Sequence, residues 1–369
     1  MKIETDAGIT GYGECTDWRA GHALAGGIRD LGALLVGCDA GNIRAAVRDL
    51  RRHTQQNAGG LFQKCIAGIE LALWDIQGKS LEVPVYRLLG GPTRDVAPLY
   101  WSHFGSYRAR YPNYIDAPAL RTWQDIAELA HEAISRGFTA LKTNIFAPNQ
   151  AAEFWTRGDS NMDDDTLNTS VQLIHTLREA VGPHVDICLD VNFRFRPEAC
   201  IRLAEALAPF NLRWLELDMH DPVALRDIRE AAPMPIASLE SVNTLHGFLP
   251  FLDHHAVDVA IIDVPWNGFI QSIEIAEIAA ARETNVAPHN YYSHLATFIT
   301  AHWSACITNL TLMEIDVDSV PWRDNIVTNV PEISNGQMLI PSAPGWGTDL
   351  DEEAIAQHPW PSGRDTRNL

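Results

Sequence analysis

Short apolar runs recur through the last two thirds of the chain, and a polar residue stands at or near the end of each: Lys142, Asp190, Glu216, Glu240, Asp263, His289 and Glu314. From Asp190 onward these residues follow one another at steps of about 25, a repeat that fits one strand and one returning helix. The runs FTALKTNIF, VDICLDVN, RWLELD, PIASLES, VDVAIID, NVAPHN and TLMEID are rich in Val, Ile, Leu and aromatic residues and predict strands. Between them the apolar spacing becomes helical. TWQDIAELAHEAISRG puts Ile126, Ala130, Ala133 and Ile134 on one face, and SIEIAEIAAARE behaves alike. Strands alternating with helices imply a parallel sheet. With YWSHFGS, from Tyr100, as an eighth strand ahead of the seven, the expected fold is a closed (β/α) barrel, and its polar residues would converge on the C-terminal rim.

The first part of the chain does not follow this step. KIETDAGITGYGEC reads as two strands about an Asp6-Ala7-Gly8 turn, followed by helical patterns in IRDLGALLV, NIRAAVRDLRRH and FQKCIAGIELALWDIQGKSLEVPVYRLLGG, with Gly90, Gly91 and Pro92 as the stop. Residues 1–95 are therefore expected to form a separate α+β domain and residues 96–318 the barrel. The Pro- and Gly-rich segment 319–369 has too little apolar content for a domain of its own and is expected to pack back on the first. One interval departs from the repeat: Asn144 and Asp190 are about 46 residues apart, and the surplus holds APNQAAEFWTRGDSNMDDD. On the active-site side of a barrel, such a stretch is either a lid that touches substrate or an acidic excursion.

Composition narrows the partners. The formal charge of −19 excludes a basic surface suited to nucleic acid or anionic membrane. Six cysteines without a CxxC pair read as buried thiols of a reducing compartment. The opening residues lack a signal-peptide core and no run reaches 18 apolar residues, so a cytoplasmic location and no membrane span are expected.

The rim residues supply the chemistry. Asp190, Glu216 and Glu240 end three successive strands, and three carboxylates forced together repel unless a cation neutralises them. An all-oxygen set favours Mg2+, with Mn2+ as a second choice, over Zn2+. Asp263 and His289 end the next two strands; a carboxylate beside an imidazole fixes its tautomer and raises its basicity, as a general base requires. Glu314 would hydrogen-bond a substrate oxygen opposite the metal. Lys142 and Asn144 point to one face of their strand; Lys142 would either bind a substrate carboxylate or serve as a base with a depressed pKa. Asn192 stands in the same relation to Asp190, and Arg194 lies in the loop beyond, within reach of an anionic substrate. Together these residues describe metal-assisted removal of a proton α to a carboxylate.

With these residues in place the chain resembles the enolase superfamily, in its mandelate racemase-like branch, over nearly its whole length. GITGYGE, ALWDIQGK and LLGG are similar to that family's capping-domain signatures, GFTALKTN to its second-strand lysine motif, and PSAPGWGTDLD to its closing motif. The resemblance implies a modified TIM barrel of (β/α)7β type with an α+β capping domain formed by the N-terminal region and the C-terminal tail. It implies metal ligands Asp190, Glu216 and Glu240, a catalytic His289–Asp263 dyad, Lys142 and Glu314 as further catalytic groups, and a homo-oligomer acting on a small-molecule carboxylate; a Lys or His base working beside Mg2+ is known of the family. The departures point to the reaction. The usual Lys-x-Lys is Lys142-Thr143-Asn144 here, which resembles galactonate-type sugar acid dehydratases and removes the second lysine of a two-base racemase. The histidine such dehydratases carry at Asn192 is absent, so the leaving hydroxyl would be protonated by His289 itself or by Tyr100, His103 or His220. Tyr100, Asn144, Asn192 and Arg194 are the expected substrate contacts. Glu216-Leu217-Asp218 replaces Glu-Glu-Pro, and the sequence opens at the first hairpin without the opening strand and mobile loop the resemblance leads one to expect, so either its start is mis-assigned or that loop is gone. Dehydration of an acid sugar to a 2-keto-3-deoxy acid is the leading expectation. Epimerisation or lactone cycloisomerisation is the alternative within the family, and a metal-binding, non-catalytic member is the alternative outside enzyme function.

Overall fold

In the computed structural model, which describes residues 1–17, 20–148 and 160–359, eight parallel strands close into a barrel. Ahead of it, β1 (Lys2–Glu4) and β2 (Thr10–Tyr12) form the antiparallel hairpin about Asp6-Ala7-Gly8, with Gly8 at φ +77°. Helices α1 (Gly21–Gly32), α2 (Ile43–His53) and the 21-residue α3 (Gly60–Ser80) follow. The long pattern from Phe62 to Gly91 is thus two elements, α3 and a 3-10 turn at Val85–Leu89, because Pro84 interrupts it. The glycines of GITGYGE have a steric reason. Strand β2 crosses α3 so closely that a methyl group on Gly11 or Gly13 would overlap the carbonyl oxygen of Ala72 or Gly68.

The barrel strands are β3 (Val96–Trp101), β4 (Ala140–Asn144), β5 (Asp186–Asp190), β6 (Trp214–Glu216), β7 (Ile236–Ser238), β8 (Val259–Asp263), β9 (Asn285–His289) and β10 (Met313–Ile315), each parallel to the one before it through β9. Strand β10 pairs with β3, and a parallel bridge between Val286 and Leu310 completes the closure on the other side. The first strand begins at Val96 rather than Tyr100. Pro98 is accommodated inside it because its neighbour on that side is β12 (Gln337–Leu339) of a short hairpin with β11 (Ile333–Ser334), where Leu99 N donates to Gly336 O.

Alternation along each strand separates two cores. Outward residues such as Leu141, Ile187, Leu189, Leu215 and Ile262 pack under the helices. Inward residues Tyr100, Ala140, Cys188, Trp214, Ala237, Ile261 and Ala287 fill the barrel floor, where Tyr100 meets the edge of Trp214 at 5.7 Å. On helix Trp123–Ser135 the buried face is Ile126, Leu129, Ala130 and Ala133; Ile134, expected on that face, is 39% exposed because the helical period carries it round to solvent.

The capping domain and the tail hold the barrel rim. Glu14 accepts hydrogen bonds from Ser293 N (3.2 Å), Ala296 N (3.0 Å) and the Ser293 hydroxyl, so a capping-domain carboxylate sits at the N-terminus of helix His294–Ser304, which starts five residues beyond His289. Trp346, fully buried, donates from its indole to Tyr12 O and Leu71 O, and Asp75 accepts from Trp346 N and Tyr12 N. The expected lid, within 147–165, falls largely on residues 149–159, outside the described residues. No helix among the described residues is long and apolar enough to cross a membrane.

Candidate active site

The register that closes the barrel also aligns its chemistry. Asn144 pairs with Asp190 and Asp190 with Glu216, while on the other wall Asp263 pairs with His289, so strand ends carry these side chains to one rim. Asp190, Glu216 and Glu240 each offer a carboxylate oxygen, all within 4.8 Å of one another. Burial raises the proton affinity of all three, most for Glu240.

Each carboxylate is aimed by a partner. Asp190 Oδ1 accepts from Asn192 N (2.8 Å), and Oδ2 from Asn192 Nδ2 (3.1 Å) and Asn144 Nδ2 (3.2 Å). Asn144 and Asn192 therefore both grip one carboxylate of the acidic cluster. Asn192 takes φ +49°, a left-handed turn that asparagine tolerates better than most residues. Glu216 accepts from Trp214 Nε1 (2.9 Å) and Lys142 Nζ (3.0 Å). Glu240 lies two residues beyond β7 and reaches the cluster because Leu239 adopts φ +95°. Asp218 holds that strained turn, accepting from Leu239 N and Ser238 Oγ at 3.1 Å each.

On the opposite wall His289 Nδ1 donates to Asp263 Oδ2 (2.7 Å), which fixes the tautomer and leaves Nε2 facing the cluster, 3.4 Å from Glu240 Oε2. Tyr292 also donates to Asp263 Oδ2, and Trp266 N donates to Oδ1 (2.8 Å). Burial alone would lower the His289 pKa, but Glu240, the Asp263 hydrogen bond and Glu314 push it up to about 10. A cation on the three carboxylates would cancel the pull of Glu240 and return the ring toward the range of a base.

Lys142 Nζ lies 3.0 Å from Glu216 and 3.1 Å from Glu314, above the Tyr100 ring. Burial would discharge it, but the two carboxylates hold it firmly protonated. Glu314 in turn accepts from Ser102 Oγ (2.5 Å) and Asn290 N (2.6 Å); against the opposing effect of burial, Lys142, His289 and His103 keep its pKa at about 2. Of the other expected contacts, Tyr100 is sealed beneath Lys142 with its hydroxyl unpartnered, Arg194 is half-buried against Phe195, and His220 is exposed, stacked on Phe193. Tyr292, Ser102 and Trp266 were not singled out from sequence; the aromatic pair directly after His289-Asn290 was the one available sign of the first.

Comparison with known proteins agrees with this architecture. The chain is 28% identical to a D-xylonate dehydratase of Haloferax volcanii over 97% of its own length and 84% of the relative's. It is 25% identical to ManD, a D-galactonate dehydratase family member of Chromohalobacter salexigens, over 98% and 91%. A solved structure from Burkholderia xenovorans, named as a candidate L-alanine-DL-glutamate epimerase bound to magnesium and fumarate, superimposes with TM-score 0.92 at 39% identity, covering 97% of this chain and 91% of that one. Residues 1–90 match the mandelate racemase / muconate lactonizing enzyme N-terminal domain and residues 125–354 the enolase C-terminal domain-like model, so the chain belongs to the mandelate racemase / muconate lactonizing enzyme family of the enolase superfamily.

Proposed function

We propose that this enzyme binds Mg2+ at Asp190, Glu216 and Glu240, removes the proton α to the carboxylate of a polyhydroxy acid with His289, and expels the 3-hydroxyl to give a 2-keto-3-deoxy acid. The donor set fits the ion: three carboxylate oxygens within 4.8 Å of one another, from buried Asp190 and Glu216 and half-buried Glu240, with no sulfur or nitrogen donor among them, carry a surplus of negative charge that Lys142 alone does not balance. A bound Mg2+ supplies positive charge where the substrate carboxylate becomes electron-rich as the α-proton leaves. Lys142 adds a second fixed positive charge on that side, and Asp263 and Tyr292 keep His289 Nε2 turned toward the substrate.

The observation that carries this reading is the asymmetry of the rim. A base faces the acid cluster from β9, whereas on β4 Asn144 offers no acid–base group and Lys142 is clamped between two carboxylates and keeps its proton. One base is what elimination needs; a two-base racemisation needs acid–base groups on both faces of the α-carbon. The relatives named as dehydratases of D-xylonate and D-gluconate support elimination. The 39% identity to the Burkholderia protein favours epimerisation as the second reading. The test is a panel of D-xylonate, D-gluconate, D-galactonate and the corresponding aldaric acids with Mg2+, scored for 2-keto acid. Keto acid that vanishes on chelation supports the proposal, and inversion at C2 without keto acid replaces it with the second reading.

A further inference from the structure

The rim holds a second imidazole–carboxylate pair. His103 follows β3, and its Nδ1 donates to Asp316 Oδ1 at 2.8 Å from just beyond β10. Its ring stacks on Tyr107 at 4.2 Å, nearly parallel, and both His103 and His289 lie against Tyr291, at 6.0 and 4.9 Å. Around the barrel, β10 alone separates β3 from β9, so the two imidazoles flank Glu314 and face β5, β6 and β7 with their three carboxylates. The side chain of His103 is 18% exposed, and its Nε2 has no hydrogen-bond partner among the described residues. Its backbone is held at φ +46°, a conformation that costs energy outside glycine and collects at functional sites. The groups around the ring are Asp316 and Glu314 from β10, Lys142 from β4, and Tyr107 and Tyr291. Burial would strip the proton from the ring, yet Asp316 outweighs it and the pKa is raised, so the ring holds a proton to give.

Of the other donors expected from the sequence, His289 is occupied with the C2 proton and the rest are spoken for. Lys142 is locked in its ion pairs, Glu314 is held ionised, Asn144 and Asn192 carry no acidic proton, Tyr100 is sealed under Lys142, and His220 faces solvent on Phe193. Resting on the dehydratase reading above, we propose that His103, oriented by Asp316, is the general acid that delivers a proton from Nε2 to the leaving 3-hydroxyl. In this step His289 takes the C2 proton, the electron pair left at C2 forms the C2–C3 double bond, the C3–O bond breaks, and the oxygen departs as water with the His103 proton. The enol then ketonises: C3 takes the proton held by His289 and the C2 hydroxyl returns one to His103, which leaves both imidazoles as they began.

The experiment uses the full-length Mg2+-loaded protein with D-xylonate, D-gluconate and D-galactonate in D2O, and with their 3-deoxy-3-fluoro analogues, whose fluoride leaves without a proton. His103→Asn is expected to keep C2 deuterium exchange within about threefold of wild type while keto acid formation falls by about 10²- to 10⁴-fold. The fluoro analogues should restore elimination to within about tenfold. Asp316→Asn, acting through His103, should show the same split to a smaller degree and shift the acid limb of the elimination pH profile. Unchanged keto acid formation, or exchange and elimination falling together without fluoride rescue, overturns the role of His103 and leaves the dehydratase reading standing. Deuterium entering both C2 epimers in wild type, with His103→Asn losing one of them, makes His103 a second base and overturns the proposal in favour of epimerisation. Wild-type silence across the panel overturns the dehydratase reading itself, and the proton donor with it.

Discussion

Lys142→Met removes the charge but keeps much of the length of the side chain, and so isolates what the ammonium group does. Its nitrogen lies 3.0 Å from Glu216 and 3.1 Å from Glu314, with all three groups almost fully buried. At an effective dielectric of about 20 each contact amounts to roughly 5 kcal/mol of Coulomb attraction, much of it offset by the cost of desolvating the charges. Breaking a buried pair by removing one partner typically costs about 3–5 kcal/mol, because the other charge is left stranded. For a chain of 369 residues the unfolding entropy is on the order of 0.8 kcal/mol/K, so the metal-free variant should melt about 4–6 °C below wild type. A divalent cation on Glu216 would replace half of the lost compensation, so saturating Mg2+ should narrow the gap by about half. Glu314, freed from Lys142, should rise from its depressed pKa and take up a proton, which relieves the remainder as the pH falls toward 5. Scanning calorimetry of wild type and variant, with chelator and with Mg2+, reads all of this. Equal melting temperatures in chelator, or a gap indifferent to Mg2+, would refute a lysine that shares its partner with a cation.

Three further outcomes follow from other parts of the structure. Asp218→Ala removes the acceptor that holds Leu239 N and Ser238 Oγ, and should weaken Mg2+ or Mn2+ binding by about 10- to 100-fold in calorimetric titration while the far-ultraviolet spectrum stays unchanged; an unaltered Kd would show that Glu240 needs no such support. His302 is buried and neutral, accepting from Tyr86 N on Nδ1 and donating from Nε2 to Trp346 O, and burial lowers its pKa to about 3. Its native pKa lies below the unfolded value of about 6.5, so its contribution is complete above pH 6.5 and declines as pH falls toward 3, by up to about 5 kcal/mol. His302→Gln should flatten the slope of stability against pH there by about one proton, and an unchanged slope would place the acid sensitivity elsewhere. Gly13→Ala should cost about 1–3 kcal/mol in urea melts with cation affinity intact, because its methyl group would meet the Gly68 carbonyl in the capping domain, whereas Asp190, Glu216 and Glu240 are held by the barrel strands.

The barrel was legible because its physics repeats. Every strand buries one face under helices and the other in the floor, and each run is followed by a polar residue where the backbone reaches the rim, so period and polarity coincide. Ile134 and the start of β3 were misread because local patterns do not carry tertiary partners: Ile134 shares a helical spacing with buried residues yet turns to solvent, and Pro98 is tolerated where the β11–β12 hairpin covers the strand. The rim residues stood out as types, but their couplings did not. Nothing in the residues following Ser238 announces that Leu239 turns to φ +95° so that Glu240 can reach Asp190 and Glu216, or that Asp218 secures the turn. Likewise Glu14 stands in a recognisable GYGE run, but its placement on the helix after His289 needed the two domains side by side. Asn144 and Asn192 looked like losses of catalytic groups; in the fold they share one oxygen of Asp190.

The central claim is that His289, opposite a cation held by Asp190, Glu216 and Glu240, removes the α-proton. Its most direct test is C2 hydrogen–deuterium exchange on D-xylonate, D-gluconate and D-galactonate in D2O with Mg2+, comparing wild type with His289→Asn by proton NMR. The account predicts exchange in wild type, a loss of at least about 10²-fold in the variant, and the same loss in wild type on chelation. Exchange that survives in His289→Asn and disappears in Lys142→Ala would contradict it.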